Sequence, residues 1–169
     1  MGESQQLTWS ARLADVLRAA PPDYGRGIRP ASKEDEIPLG ELYFAAYAGR
    51  EVARLEEAHE ELRRTFAGEY GALDLAGSSV AASEQRLVGA VLTVHEAPWP
   101  DTPSGPFVIE VMVHPRWRRR HLALRCMLST AAALRSRGEE HMALRVKSDN
   151  EGALALYRRL GFRPVGEEG

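Results

Sequence analysis

The sequence contains one cysteine, Cys126, so no disulfide can close within the chain, and the framework of a secreted disulfide scaffold is excluded. Its neighbours Leu122, Met127 and Leu128 mark it as a small core residue, with no cationic surroundings to activate a thiolate. No apolar run approaches the length of a membrane span. Met1 to Gln6 lacks the cationic start and apolar stretch of a secretory signal, so a soluble cytoplasmic protein is expected. Lysine is nearly absent, with only Lys33 and Lys147, so the number of arginines says little and their clustering says more. The five histidines include no pair at i, i+4 and no metal-ligand spacing, and no metal is expected.

What is present is the composition of a globular protein: 169 residues, 44% hydrophobic and 27% charged, enough for one domain with a real core. A net charge of −2 argues against a dedicated nucleic-acid binder. The charge is unevenly placed, however. Ala31 to Asp74 holds 11 acids and 5 basic residues, whereas Val111 to Gly138 holds seven arginines and no acid.

Along the chain, Leu13, Val16 and Leu17 sit at helical spacing, which predicts a helix over Thr8–Ala20 that stops at Pro21-Pro22. A Pro/Gly-rich linker then leads to a brief strand at Ile28-Arg29-Pro30. Ser32 and Asp35 have the form of a capping box before a helix ending near Gly49. Val52, Leu55, Ala58, Leu62 and Phe66 make one face of a second helix over Glu51–Phe66. Ser79–Ser83 and Leu87–His95 read as an antiparallel hairpin, and the nearly continuous apolar run of the second strand predicts cover on both faces. Ala97–Pro106, with four of the ten prolines, is a loop in which Trp99 anchors the chain or lines a site. A strand over Phe107–Val113, a helix over His121–Ser136, a strand over Met142–Val146, a helix over Glu151–Leu160 and a short strand over Phe162–Val165 complete the chain. The alternation in this second half predicts at least one parallel pair with a crossover helix.

The strand Phe107–Val113 delivers the cationic turn Arg116-Trp117-Arg118-Arg119-Arg120 to a helix N-terminus. That is a setting in which backbone N–H groups, the helix dipole and arginine donors can hold a phosphate. The order of these segments resembles the GCN5-related N-acetyltransferase (GNAT) family. The family's acyl-CoA signature, Q/R-x-x-G-x-G/A, falls on Arg118-Arg119-Arg120-His121-Leu122-Ala123, with His121 in the place of the central glycine. Its second signature falls on Asn150, Ala153, Leu156, Tyr157, Gly161 and Phe162 at the family spacing.

The resemblance implies an α/β (α+β) fold: a mixed, mostly antiparallel twisted sheet with helices on both faces, its central strands splayed to form an acyl-CoA cleft. Residues 1–27 would be a helical extension and linker, and residues 28–169 the acetyltransferase domain. The implied reaction is direct acetyl transfer from acetyl-CoA to a primary amine in a ternary complex. Cofactor contacts would come from Val111, Met112 and Val113, chiefly through main-chain groups of Val111 and Val113. The turn Arg118, Arg119, Arg120, His121, Leu122 and Ala123 would hold the pyrophosphate, and Asn150 would meet the cofactor arm or cap its helix. A main-chain N–H near Val111 would polarise the thioester carbonyl.

Glu110 is a carboxylate inside an apolar strand, on the face opposite Val111 and Val113. It is the candidate base, and an ion pair with Arg145 is its structural alternative. Tyr157 is the candidate acid for the departing thiolate, or else a core aromatic. A non-catalytic acyl-CoA sensor of the same fold and, less favoured, a nucleic-acid binder through Arg116–Arg120 are the alternative functions. Acetyl-CoA and an amine-bearing acceptor are the expected partners, with no membrane; a homodimer stays open.

Overall fold

Period-two burial, not helical spacing, governs the N-terminal segment. In the computed structural model, which describes residues 3–18 and 20–166, Gln6–Arg12 forms strand β1 with Trp9 and Ala11 buried. The helix expected over Thr8–Ala20 shrinks to the single turn α1, Leu13–Val16, and Ala19 lies outside the described residues. Leu7, Trp9 and Ala11 alternate, and β1 pairs along its whole length with a later strand, from Gln6↔Lys147 to Arg12↔His141. Burying the Trp9 side chain stabilises the strand by about 2–3 kcal/mol, which one isolated helical turn cannot match. Gln6–Arg12 is therefore not part of a helical extension; it is an inner strand of the sheet, between the strands His141–Lys147 and Arg163–Pro164.

The remaining elements are β2 (Ile28–Pro30), α2 (Glu36–Tyr47), α3 (Leu55–Phe66), β3 (Ala72–Leu73), β4 (Ser79–Ser83), β5 (Arg86–His95), β6 (Phe107–Val113), α4 (Leu122–Ser136), β7 (His141–Lys147), α5 (Glu151–Arg159) and β8 (Arg163–Pro164). They build one mixed sheet in the order β2-β4-β5-β6-β7-β1-β8, with β3 added on β5. Every pairing is antiparallel except β6 with β7, joined by the crossover helix α4.

Local chemistry explains most of these boundaries. Ser32 and Asp35 form the capping box, and Asp35 also receives Arg29 at 2.8 Å, fastening β2 to the start of α2. The β4–β5 hairpin turns through Glu84 and Gln85, both at positive φ, the requirement of a two-residue type I′ turn. Helix α3 begins at Leu55 and not at Glu51, because a bridge between Ala48 and Val52 holds the chain in a turn. Leu55 is exposed, while Ala58 and Leu62 face the core.

Helices α1, α4 and α5 cover one face of the sheet over a core that includes Trp9, Met127 and Phe162. Helices α2 and α3 cover the other face over Leu39, Leu62 and Leu92. Strand β5, buried on both faces as its apolar run predicts, runs between the two cores. Gly89 lets α4 approach: a Cβ there would lie 2.8 Å from the Leu122 side chain. Among the described residues no helix is long and apolar enough to cross a membrane.

Candidate active site

Strand β6 carries the site because it leaves its parallel neighbour. Only Phe107 and Val108 pair with β7, opposite Ala143 and Leu144; beyond Val108 the strand stays paired to β5 alone. At the divergence Ile109 is an extra residue, since Val108 faces Thr93 and Glu110 faces the adjacent Leu92. Such a bulge re-aims the side chains beside it. It sets Ile109 against the α2–α3 core, and by strand alternation Glu110 shares that face with Met112.

The main chain follows the same alternation. His114 N–H donates to Val88 O at 2.8 Å, so residues 114, 112 and 110 direct their polar groups to β5, and Val111 and Val113 direct theirs to the open side. Met112 is thereby corrected as a cofactor contact. Its main chain serves the β5 ladder and its side chain is buried in the α2–α3 core.

The splay opens a cleft of about 780 Å³ whose walls include Glu110, Tyr47, Tyr157, Asn150, Trp99 and Arg145. A groove of about 1060 Å³ lies elsewhere, between α1 and β8, but it is lined by surface arginines such as Arg12, Arg158 and Arg163 among other residues, with no buried acid or base. The chemistry lies in the smaller cleft.

Glu110 is part-buried there, and burial pushes its carboxyl up to about 7. A 2.8 Å hydrogen bond donated by Tyr47 draws it partly back, and the charges of Glu61 and Glu51 add to the rise. No salt bridge to Glu110 occurs among the described residues, so the ion pair with Arg145 does not form. Arg145 lies instead over the Trp99 ring, 5.0 Å from its centroid, with its Nε buried and unpartnered. Tyr157 is buried on α5, its ring near Phe162. Burial and then the charge of Glu110 raise its phenol above the ordinary range, which keeps it protonated. Asn150 caps α5, its side-chain oxygen accepting from Ala153 N–H at 3.1 Å, and it borders the cleft at the same time.

The turn Arg118–Ala123 lies past the end of β6 and is not part of the cleft wall. Arg119 and His121 both have positive φ, and His121 at φ 57°, ψ 26° is left-handed. The family's glycine position thus demands a left-handed backbone here, and histidine is among the residues that tolerate one. The His121 ring is exposed, Leu122 is buried at the start of α4, and Ala123 continues the helix. The N–H groups of residues 118–124 have no acceptor among the described residues, which leaves them free to receive an anion. Of the arginine side chains, Arg120 stacks on Trp117 and Arg118 reaches the Ala46 carbonyl of α2 at 3.5 Å.

Sequence reasoning missed Tyr43 and Tyr47, which line the cleft from the last turns of α2 with ring centroids 4.6 Å apart. Their i, i+4 spacing, two aromatics with polar tips on one helix face, was the available signal. Cys126 is buried and burial pushes its thiol up to about 12, as befits an inert core residue.

Residues 39–162 match the sequence profile of the family described as "Acetyltransferase (GNAT) family". The curated protein N-alpha-acetyltransferase 30 of Schizosaccharomyces pombe is 27% identical over 85 residues, 50% of this chain and 56% of that protein. The chain thus spans little more than half the length of this relative. A GCN5-related N-acetyltransferase from Sphaerobacter thermophilus superposes with a TM-score of 0.66 at 22% identity over 95% of this chain and 48% of that one. The ribosomal-protein-S18-alanine N-acetyltransferase of Escherichia coli superposes at 0.58 with 19% identity, over 79% and 75% of the two chains. These likenesses extend the fold over nearly the whole molecule, and the profile spans the splayed strand, the Arg118–Ala123 turn and Tyr157: the chain belongs to the GNAT acetyltransferase family.

Proposed function

We propose that the protein is an N-acetyltransferase that moves an acetyl group from acetyl-CoA to a primary amine by direct attack in a ternary complex. The observation that carries this reading is the divergence of β6 from β7 after Val108, with Glu110 on the wall of the resulting cleft. The residues fit the co-substrate. The unpaired main-chain edge at Val111 and Val113 can pair with an extended amide-bearing arm, and the unsatisfied N–H groups of residues 118–124 suit a pyrophosphate. When bound, acetyl-CoA supplies a thioester whose carbonyl carbon the amine attacks, so that a C–N bond forms, the C–S bond breaks and a free thiol leaves.

Glu110, pushed up to about 7 and held by Tyr47, takes the proton that the amine must lose before attack. The N–H of Val111 faces the open edge and polarises the carbonyl oxygen. Tyr157, kept protonated by burial and by the charge of Glu110, donates to the departing sulfur. The test is an amine panel assayed by thiol release from acetyl-CoA, preceded by a thermal shift with CoA. Release with at least one amine is expected. A CoA-induced shift without release against any amine would instead favour the non-catalytic sensor, and no shift would remove the family's co-substrate from the account.

A further inference from the structure

The main cleft does not end at Glu110. A side pocket of about 130 Å³ opens from it on the α3 side and shares Tyr43, Trp99, Ile109 and Glu110 with the cleft. Its far wall adds Glu61 and Tyr70 over an apolar floor that includes Leu62 and Leu92. Nothing in the co-substrate reading uses this pocket.

Its chemistry is that of a cation site. Glu61 is half-buried and forms no salt bridge with a described residue. The nearby arginines are already engaged: Arg63 and Arg64 pair with Glu60, and Arg64 also reaches Glu69. Three aromatic rings border the same space, with Tyr70 and Trp99 parallel to within 5° and their centroids 6.5 Å apart. Aromatic faces attract ammonium groups, most strongly where water is excluded. The acids dominate the side that faces Glu110: Glu61 and Glu51 both act on it and no basic side chain acts against them there, while Arg64 reaches Tyr70 on the far wall, Arg145 lies outside the pocket against Trp99 and Lys147 is taken by Glu51 at 3.0 Å. An uncharged apolar occupant would strip water from Glu61 and return nothing. The volume, about four times a water molecule's share of the liquid, fits a short ammonium tail and no more.

We propose that this pocket takes a second, non-reacting ammonium group of the acceptor, so that the preferred acceptor is a compact diamine and Glu61 sets the preference. The inference rests on the acetyltransferase reading for the amine at Glu110, but the pocket's affinity for a cation does not depend on turnover. The experiment compares putrescine with n-butylamine, which differ only by the distal ammonium, in the wild type and in Glu61→Gln. Acetylation is read as kcat/KM, and putrescine binding is followed by calorimetry in parallel.

The expected result is a kcat/KM ratio of about tenfold or more in favour of putrescine, falling to near one in E61Q through a rise in KM for putrescine. A ratio near one in the wild type, a preference for n-butylamine, or a high ratio that survives in E61Q would each overturn the proposal. If neither amine is acetylated, the amine panel decides the acetyltransferase reading, and calorimetry decides the pocket separately. Putrescine binding lost in E61Q upholds the cation site, and no putrescine binding to the wild type overturns it.

Discussion

Two carboxylates are drawn into this fold, and their surroundings differ in one respect. Asp74, between β3 and β4, is buried with Arg137 on both oxygens, His95 Nε2 at 2.7 Å and the Gly77 N–H at 2.8 Å. Burial alone would raise its carboxyl, but the bonds from Arg137 and His95 outweigh burial and hold it below the ordinary range. Glu110 has a single neutral donor, Tyr47, and no salt bridge among the described residues, so burial prevails and its carboxyl rises to about 7. Asp74 ties the end of β5 to the end of α4 and stays ionised. Glu110 sits at the mouth of a splayed strand and can exchange its proton near neutrality. A buried acid supplied with cations is a fastener, whereas one left without them is available for proton transfer.

The contrast breaks most sharply under substitution. Glu110→Gln keeps the shape and removes the proposed base: acetyl transfer is expected to fall by about a hundredfold or more in kcat, with no loss of stability in a urea melt at neutral pH. Asp74→Asn should do the reverse. It leaves Arg137 facing a neutral group and costs about 2–4 kcal/mol in the same melt, with turnover of the folded fraction retained. Smaller is the effect of Tyr157→Phe, about tenfold in kcat, while acetyl-CoA affinity measured by calorimetry stays near the wild-type value. An unaltered rate would remove Tyr157 from the mechanism. His121→Gly, at a left-handed position, should change stability least, by about 0.5–1 kcal/mol upward, without weakening the thermal shift given by CoA.

The two acids also oppose each other in pH. Asp74 has a lowered native value, so its contribution is present above the unfolded value of 3.8 and is lost as pH falls through the lower native one. Glu110 has a raised native value. Between 4.5 and about 7 the native chain holds a proton that the unfolded chain has released, so stability declines as pH rises through that window. A pH series of urea melts should show an acid-side loss that disappears in D74N and a gentle decline toward neutrality that disappears in E110Q.

Legibility in the sequence followed the range of the interactions. The capping box at Ser32 and Asp35, the hairpin of β4 and β5 and the buried run of β5 depend on residues close in the chain, and each is readable, although the turn is one residue shorter than the sequence suggests because Arg86 already pairs with Ser83. The fastening of Glu110 was not, because Tyr47 lies 63 residues away and no local pattern announces their contact. The bulge at Ile109 was also hidden: an extra residue in one strand is defined only against its partner. β1 is legible in principle. Leu7, Trp9 and Ala11 alternate as a strand should, but the helical spacing of Leu13, Val16 and Leu17 just beyond them competes with that pattern. The left-handed backbone at His121 could be expected only through the family's glycine; the residue itself gives no such signal.

The central claim is that Glu110 is a base whose proton is held near neutrality by burial without a cation. The direct test is the pH dependence of kcat at saturating acetyl-CoA and amine, measured in the wild type and in Glu110→Gln so that the acceptor's own titration is common to both. The account predicts an acid limb with an apparent pKa of about 7 in the wild type and its absence in E110Q. The same limb in both proteins, or a wild-type limb at an ordinary carboxylate value, would contradict it.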